Sequence, residues 1–186
     1  GQYRSSVVAG GKLFILVIYD FSWRVDIFTS LHQNKVTSVR LSGSLERLTA
    51  IDGAVIAYYQ NGNSFICTNP EADTPTFQKS SVSFSGYGIA KSAGYTFYFS
   101  IDSTKLYRCL DIKQANINTD TVAYEGAIYT KSVYALKNLV MLGDPSSRQS
   151  LIIDSETFKT FGNATASPKL FSSAITQTEN ELIGIS

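Results

Sequence analysis

Apolar residues come along this chain in short bursts. They recur at Leu13-Phe14-Ile15-Leu16-Val17-Ile18, Val55-Ile56-Ala57-Tyr58-Tyr59, Thr96-Phe97-Tyr98-Phe99, Leu139-Val140-Met141-Leu142 and Leu182-Ile183-Gly184-Ile185. Each burst is too short for a globular helix, and no long stretch keeps an apolar period of 3.6, so the pattern predicts strands. Polar breaks follow the first four bursts, at Asp20-Phe21-Ser22, Gln60-Asn61-Gly62-Asn63, Ile101-Asp102-Ser103-Thr104 and Gly143-Asp144-Pro145-Ser146-Ser147, and a second apolar run follows each break.

The spacing is regular. Phe14, Ile56, Tyr98, Val140 and Leu182 stand 42 residues apart, and so do Val25, Cys67, Cys109 and Leu151. A repeat of that length holding several short strands is the signature of a β-propeller blade. One twisted sheet cannot cover both its faces, so such blades stack on one another. Continuous apolar runs such as residues 13–18 predict the innermost strands, buried on both faces. The alternation in Val36-Thr37-Ser38-Val39-Arg40-Leu41 and Ser81-Val82-Ser83-Phe84 predicts outer strands, and Asn61-Gly62 predicts a tight hairpin. The expected fold is all-β: a portion of a propeller with blades near 7–46, 47–87, 88–130 and 131–171, and the first strand of a fifth within 172–186. The remaining blades are expected elsewhere.

Composition narrows the class. Charged residues make up 17% of the 186, and 44% are hydrophobic, which excludes a disordered or supercharged chain. The 11 Tyr and 11 Phe suit strands. A net charge of +1 leaves no electrostatic footprint for nucleic acid or anionic lipid, and the longest apolar run is far too short to span a bilayer. One His excludes a metal site built on two imidazoles, and two Cys cannot make a disulfide scaffold. The chain begins at Gly1 without a leader, as expected of a piece cut from a longer protein.

The order of strands suggests a relationship. Gly11-Lys12-Leu13-Phe14-Ile15-Leu16, Val36-Thr37-Ser38-Val39, Leu48-Thr49-Ala50-Ile51-Asp52 and Val55-Ile56-Ala57-Tyr58-Tyr59 follow one another as in the last propeller of the CPSF-A family, which this chain resembles. Phe99-Ser100-Ile101-Asp102 with Leu106-Tyr107-Arg108-Cys109-Leu110, and Leu139-Val140-Met141-Leu142-Gly143-Asp144 with Ser150-Leu151-Ile152-Ile153, are both similar to that family's Val-Gly-Asp turn and following strand. The resemblance spans roughly residues 11–155. It implies a WD40-like scaffold in a multi-subunit nuclear complex of mRNA 3′-end processing. Other protein subunits would be the partners, and RNA or DNA would be met only indirectly. No Trp-Asp pair closes a repeat, so generic WD40-like and Kelch-like propellers stay open.

Candidate chemistry is sparse. His32 sits in the polar stretch Leu31-His32-Gln33-Asn34-Lys35 without a nucleophile-elbow motif anywhere, and reads as a solvated loop residue. Asp20, Asp102 and Asp144 occupy corresponding breaks and fit either a repeated acidic site or ordinary turn chemistry. Cys67 and Cys109 read as free, buried, slowly reacting thiols, and Asn163-Ala164-Thr165 is a lone glycosylation sequon. Phe21 and Trp23, aromatics on a hairpin tip, are the partner-interface candidates; folding back over the blade is the competing reading. The expectation is a non-enzymatic scaffold, nuclear, with no catalytic residue, metal, cofactor or membrane contact. The rival readings are a propeller hydrolase or lyase with an axial pocket, and an extracellular Kelch-like binding module.

Overall fold

The computed structural model describes residues 1–29, 35–58, 64–80, 84–100, 105–114, 120–123, 132–144, 149–165, 174–177 and 182–185. The fold is all-β, built of antiparallel meanders whose strands lie in chain order. The first sheet holds β1 (Gln2–Ala9), β2 (Lys12–Tyr19), β3 (Ser22–Thr29) and β4 (Lys35–Leu41). The second holds β5 (Arg47–Ile51), β6 (Ala54–Tyr58), β7 (Ser64–Cys67) and β8 (Gln78–Lys79). The third holds β9 (Phe84–Ser92), β10 (Tyr95–Ser100), β11 (Lys105–Cys109) and β12 (Asp120–Ala123). The fourth holds β13 (Ser132–Leu136), β14 (Leu139–Asp144), β15 (Gln149–Asp154) and β16 (Thr160–Thr165). Finally β17 (Ala174–Gln177) pairs with β18 (Leu182–Ile185).

The 42-residue markers all fall on second strands, and Val25, Cys67, Cys109 and Leu151 on third strands. This corrects two expectations. The first four continuous apolar runs are interior strands of their sheets, hydrogen-bonded on both sides, and not strands at a sheet's inner edge, and residues 13–18 alternate buried and half-buried positions instead of being buried on both faces. The sheet edge is instead β1, whose Gln-Tyr-Arg-Ser-Ser start is mixed. Leu182 likewise begins the second strand of its pair; β17, Ala-Ile-Thr-Gln, precedes it without an apolar burst to announce it. Phe84 opens β9 and is not the end of an outer strand; residues 81–83, His32, Asp102 and the Asn61-Gly62 pair lie outside the described residues. As expected, β4 alternates between exposed and less exposed positions.

Local chemistry explains the first hairpin of each sheet. Gly10-Gly11, Asp52-Gly53 and Ala93-Gly94 each place both residues at positive φ, the type I′ geometry that matches the twist of the flanking strands. In the fourth sheet Lys137, at φ 49, opens the two-residue turn between Leu136 and Leu139.

The chain divides into two compact units. One comprises Gly1–Gly86 with Asp111–Ile117, and the other Tyr87–Leu110 with Asn118–Ser186. In the first, Phe14, Leu16, Val25, Ile27, Leu41, Leu45, Leu48, Val55, Ala57, Phe65 and Cys67 form one core. Phe97, Leu106, Val133, Ala135, Val140 and Ile153 form the core of the second.

A recurrent clasp holds successive repeats. The first hairpin of a repeat meets the segment that follows the third strand of the next. Gly10 lies against the backbone of Pro70 and Glu71, and the buried Lys12 ammonium donates to the carbonyls of Pro70 (3.3 Å) and Glu71 (2.8 Å). Asp52 accepts from the amide of Ile112 at 3.3 Å. In the second unit the buried Ser92 hydroxyl bonds Ser155 Oγ at 2.6 Å and the Lys137 carbonyl, while the Ser155 amide donates to Asn138 O at 2.7 Å. Arg108 adds a brace. Its guanidinium lies over Tyr95 (4.3 Å) and Phe158 (4.7 Å) and donates to the carbonyls of Ser155 and Glu156. Asp154 shapes the receiving turn. Bonds from the Thr157 amide and hydroxyl and the Glu156 amide hold its carboxyl below the ordinary carboxylate range.

Cys67 and Cys109 are buried, on β7 and β11. Burial pushes the Cys67 thiol up, which removes thiolate at neutral pH. Both thiols are therefore expected to react slowly with an aromatic disulfide reagent in native buffer and at full rate in denaturant. Fast native modification of both would contradict this burial.

Candidate functional site

Two features share one end of the first sheet. The tip of the β2–β3 hairpin is a two-residue turn, Asp20-Phe21, closed by the Tyr19 and Ser22 pair. Both turn residues adopt positive φ, 47 and 58, and Ser22 Oγ donates to Tyr19 O at 2.7 Å. An L-residue other than Gly, Asn or Asp costs about 1–2 kcal/mol in this conformation. Phe21 bears that cost with its side chain wholly in water, at 103% exposure. Tyr19 stands beside it, 47% exposed, with the Arg24 guanidinium 4.9 Å above its ring. Arg24 is held in turn by Asp26 at 3.0 Å, which also receives Lys35 (3.6 Å) and the Ser38 hydroxyl.

Trp23 is not at the tip. It belongs to β3, where it is half-buried, packs against the core of the first unit and carries the Arg4 guanidinium 5.7 Å from its ring. The two aromatics therefore separate: Phe21 is free to dock, and Trp23 takes the folded-back role. A two-residue turn accounts for this, because it leaves Trp23 one residue inside the ladder, paired with Ile18.

The second feature is a polar cleft of about 480 Å³ between β1 and the segment around β5 and β6. Arg4, Ser5, Glu46, Arg47, Leu48, Thr49 and Tyr58 line it. Arg4 reaches it through a register shift between Tyr3 and Ser5, a bulge that re-aims the side chain. Ser5 Oγ accepts from the Leu48 amide at 3.1 Å and ties β1 to β5. Arg47 pairs with Tyr58 across the β5–β6 ladder, and the Tyr58 hydroxyl shares a 3.1 Å bond with Thr49 Oγ1. Burial pushes the Tyr58 phenol up, against the lowering effects of the Thr49 bond and the Arg47 charge, so it stays protonated at neutral pH.

Among the described residues, the remaining sequence candidates gather into no site. Asp20 shares the tip with Phe21, and Asp144 ends β14 opposite Gln149. The Asn163 sequon lies within β16, where Asn163 pairs with Leu151. Among the described residues, no group of three His, Cys, Asp or Glu side chains is placed to hold a metal ion, and no helix is long and apolar enough to cross a membrane. Sequence reasoning missed Arg4, Arg47, Tyr58 and Tyr19. The one available signal was that both arginines lie in strands that precede an apolar burst.

No protein-family model matches the chain, and no curated protein sequence matches it. Solved structures do match, and they are propeller-like. Apo AztD from Citrobacter koseri superposes with a TM-score of 0.56 at 14% identity, over 87% of this chain and 46% of that one. Kluyveromyces lactis Hsv2 gives a TM-score of 0.58 at 9% identity, over 87% of this chain and 63% of its own. BamB from Moraxella catarrhalis gives 0.54 at 12%, over 86% and 47%. These likenesses define the fold, an all-β architecture of propeller type. The chain spans between about half and two thirds of the length of the structures it matches.

Proposed function

We propose that this chain is a non-enzymatic propeller scaffold that docks a protein partner at the β2–β3 tip. The observation that supports this reading is Phe21, a fully exposed aromatic in a backbone conformation that disfavours it. Such strain persists where function gains from it. An aromatic anchor entering an apolar pocket on a partner is the usual core of a protein interface. The finer reading, a subunit of a nuclear mRNA 3′-end processing assembly, rests on the strand order shared with the CPSF-A family.

Phe21→Gly tests the docking. Glycine relieves the positive φ, so the variant is expected to be as stable as the parent or about 1 kcal/mol more stable. Docking is expected to weaken by at least about thirtyfold, the loss of a hot-spot residue. A photo-crosslinker at Ser22, read by mass spectrometry in the native assembly, should join the tip to one partner subunit in the parent and lose that product in Phe21→Gly. An unchanged crosslink in the variant would refute the anchor. Partners drawn from another process would refute the 3′-end assignment and leave the anchor standing.

A further inference from the structure

We propose that the cleft between β1 and β5 is a binding site for a carboxylate group. The argument begins with its charges. Arg4 and Arg47 both line the cleft, and among the described residues neither forms an ion pair. Glu46 lines the same cleft without coming within ion-pair distance of either. A guanidinium presents planar paired donors that match a carboxylate, and a low-dielectric wall strengthens that bond. The leucine and the buried Tyr58 ring supply such a wall.

Arg4 is oriented in advance. It is exposed at the register shift in β1, with the Trp23 ring 5.7 Å from its guanidinium, and Gln2 Oε1 accepts from its Nη2 at 3.4 Å. Preorganisation lowers the entropy lost on binding. The hydroxyls complete the site. Thr49 and Tyr58 share one hydrogen bond between them, which consumes one of their two O–H donors and leaves the other for a ligand oxygen.

Charge balance selects the ligand class. Two guanidiniums against one glutamate leave a single net positive charge, which matches a monoanionic carboxylate better than a phosphate dianion. A volume of about 480 Å³ admits a small organic acid or the last residues of a peptide. These sources offer the same chemistry. The site is independent of docking at Phe21.

The test is an NMR titration of the full chain at constant ionic strength, read on arginine side-chain and β5 amide signals. The probes are butyrate, a free-acid pentapeptide, the same peptide amidated at its C-terminus, and inorganic phosphate. Saturable binding is expected from butyrate or the free-acid peptide below about 10 mM, with the amidated peptide silent. Butyrate alone would assign a small acid, and the free-acid peptide alone a chain terminus. Arg47→Gln and Arg4→Gln should each weaken binding by about tenfold or more, while Lys79→Gln and Phe21→Gly leave it unchanged. Three outcomes would overturn the proposal: no saturable binding by either carboxylate probe, tighter binding of phosphate than of both, or binding indifferent to Arg4→Gln and Arg47→Gln in variants whose spectra remain native.

Discussion

Gly10→Ala is expected to destabilise the first unit by about 3–5 kcal/mol. Two causes act together. The residue sits at φ 53, where a side chain is disfavoured, and a Cβ would lie 2.4 Å from the Glu71 nitrogen and 2.6 Å from the Pro70 carbonyl carbon. Those atoms are backbone, so relief requires the clasp itself to open and Lys12 to lose its carbonyl partners. Gly11 supplies the control. It has φ 71 but nothing within 4 Å of an added Cβ, so Gly11→Ala should cost about 1–2 kcal/mol, the conformational part alone. Urea melts of the two variants check the difference. Equal losses would show that the Pro70–Glu71 approach carries no energy.

Phe14→Ala is expected to cost about 3–5 kcal/mol as well. Phe14 is fully buried at the centre of the first core and meets Phe77 edge to face, with centroids 6.3 Å apart. Its removal leaves a cavity walled by strands hydrogen-bonded on both sides, which cannot collapse into the space. Phe77 is half-buried at the margin, and Phe77→Ala should cost roughly 1–2 kcal/mol. Amide exchange in β2 and β3 should accelerate far more in Phe14→Ala than in Phe77→Ala. Similar acceleration in both would place the packing centre elsewhere.

The strands most legible in the sequence are those with two ladder partners. Residues 13–18, 55–58 and 139–142, unbroken apolar runs, are interior strands with a ladder partner on each side; 55–58 is buried throughout, while 13–18 alternates buried and half-buried positions. Edge strands such as β1 and β17 carry no such run, because one side faces the end of the sheet. The clasps were invisible for a different reason. Their acceptors are largely backbone carbonyls, which any residue supplies, and their donors change from Lys12 to the Ile112 amide to Ser92.

At the candidate site, Phe21 was legible as an aromatic where turns are polar, but Trp23 was not separable from it. The Asp20-Phe21 turn lacks the glycine that marks a two-residue hairpin, so the pattern left open whether the loop continued to residue 23. The cleft gave no pattern at all. Arg4 enters it through a bulge, and an inserted residue shifts the inward positions without any signature in composition.

The clasps also bear on how such a chain grows. Each of the first three repeats carries a gripping feature in its first hairpin, and the repeat after it a receiving segment behind the third strand. A tandem copy of about 42 residues would therefore arrive with both halves of a joint, ready to accept the repeat before it and to grip the repeat after it. Among the described residues the meanders pair only with themselves, so insertion of a copy breaks none of those ladder hydrogen bonds. The receiving side recognises main chain more than side chain, so copies are free to diverge in sequence while the joint survives. Duplication followed by drift would leave what this chain displays: a constant spacing, and almost no residue repeated with it.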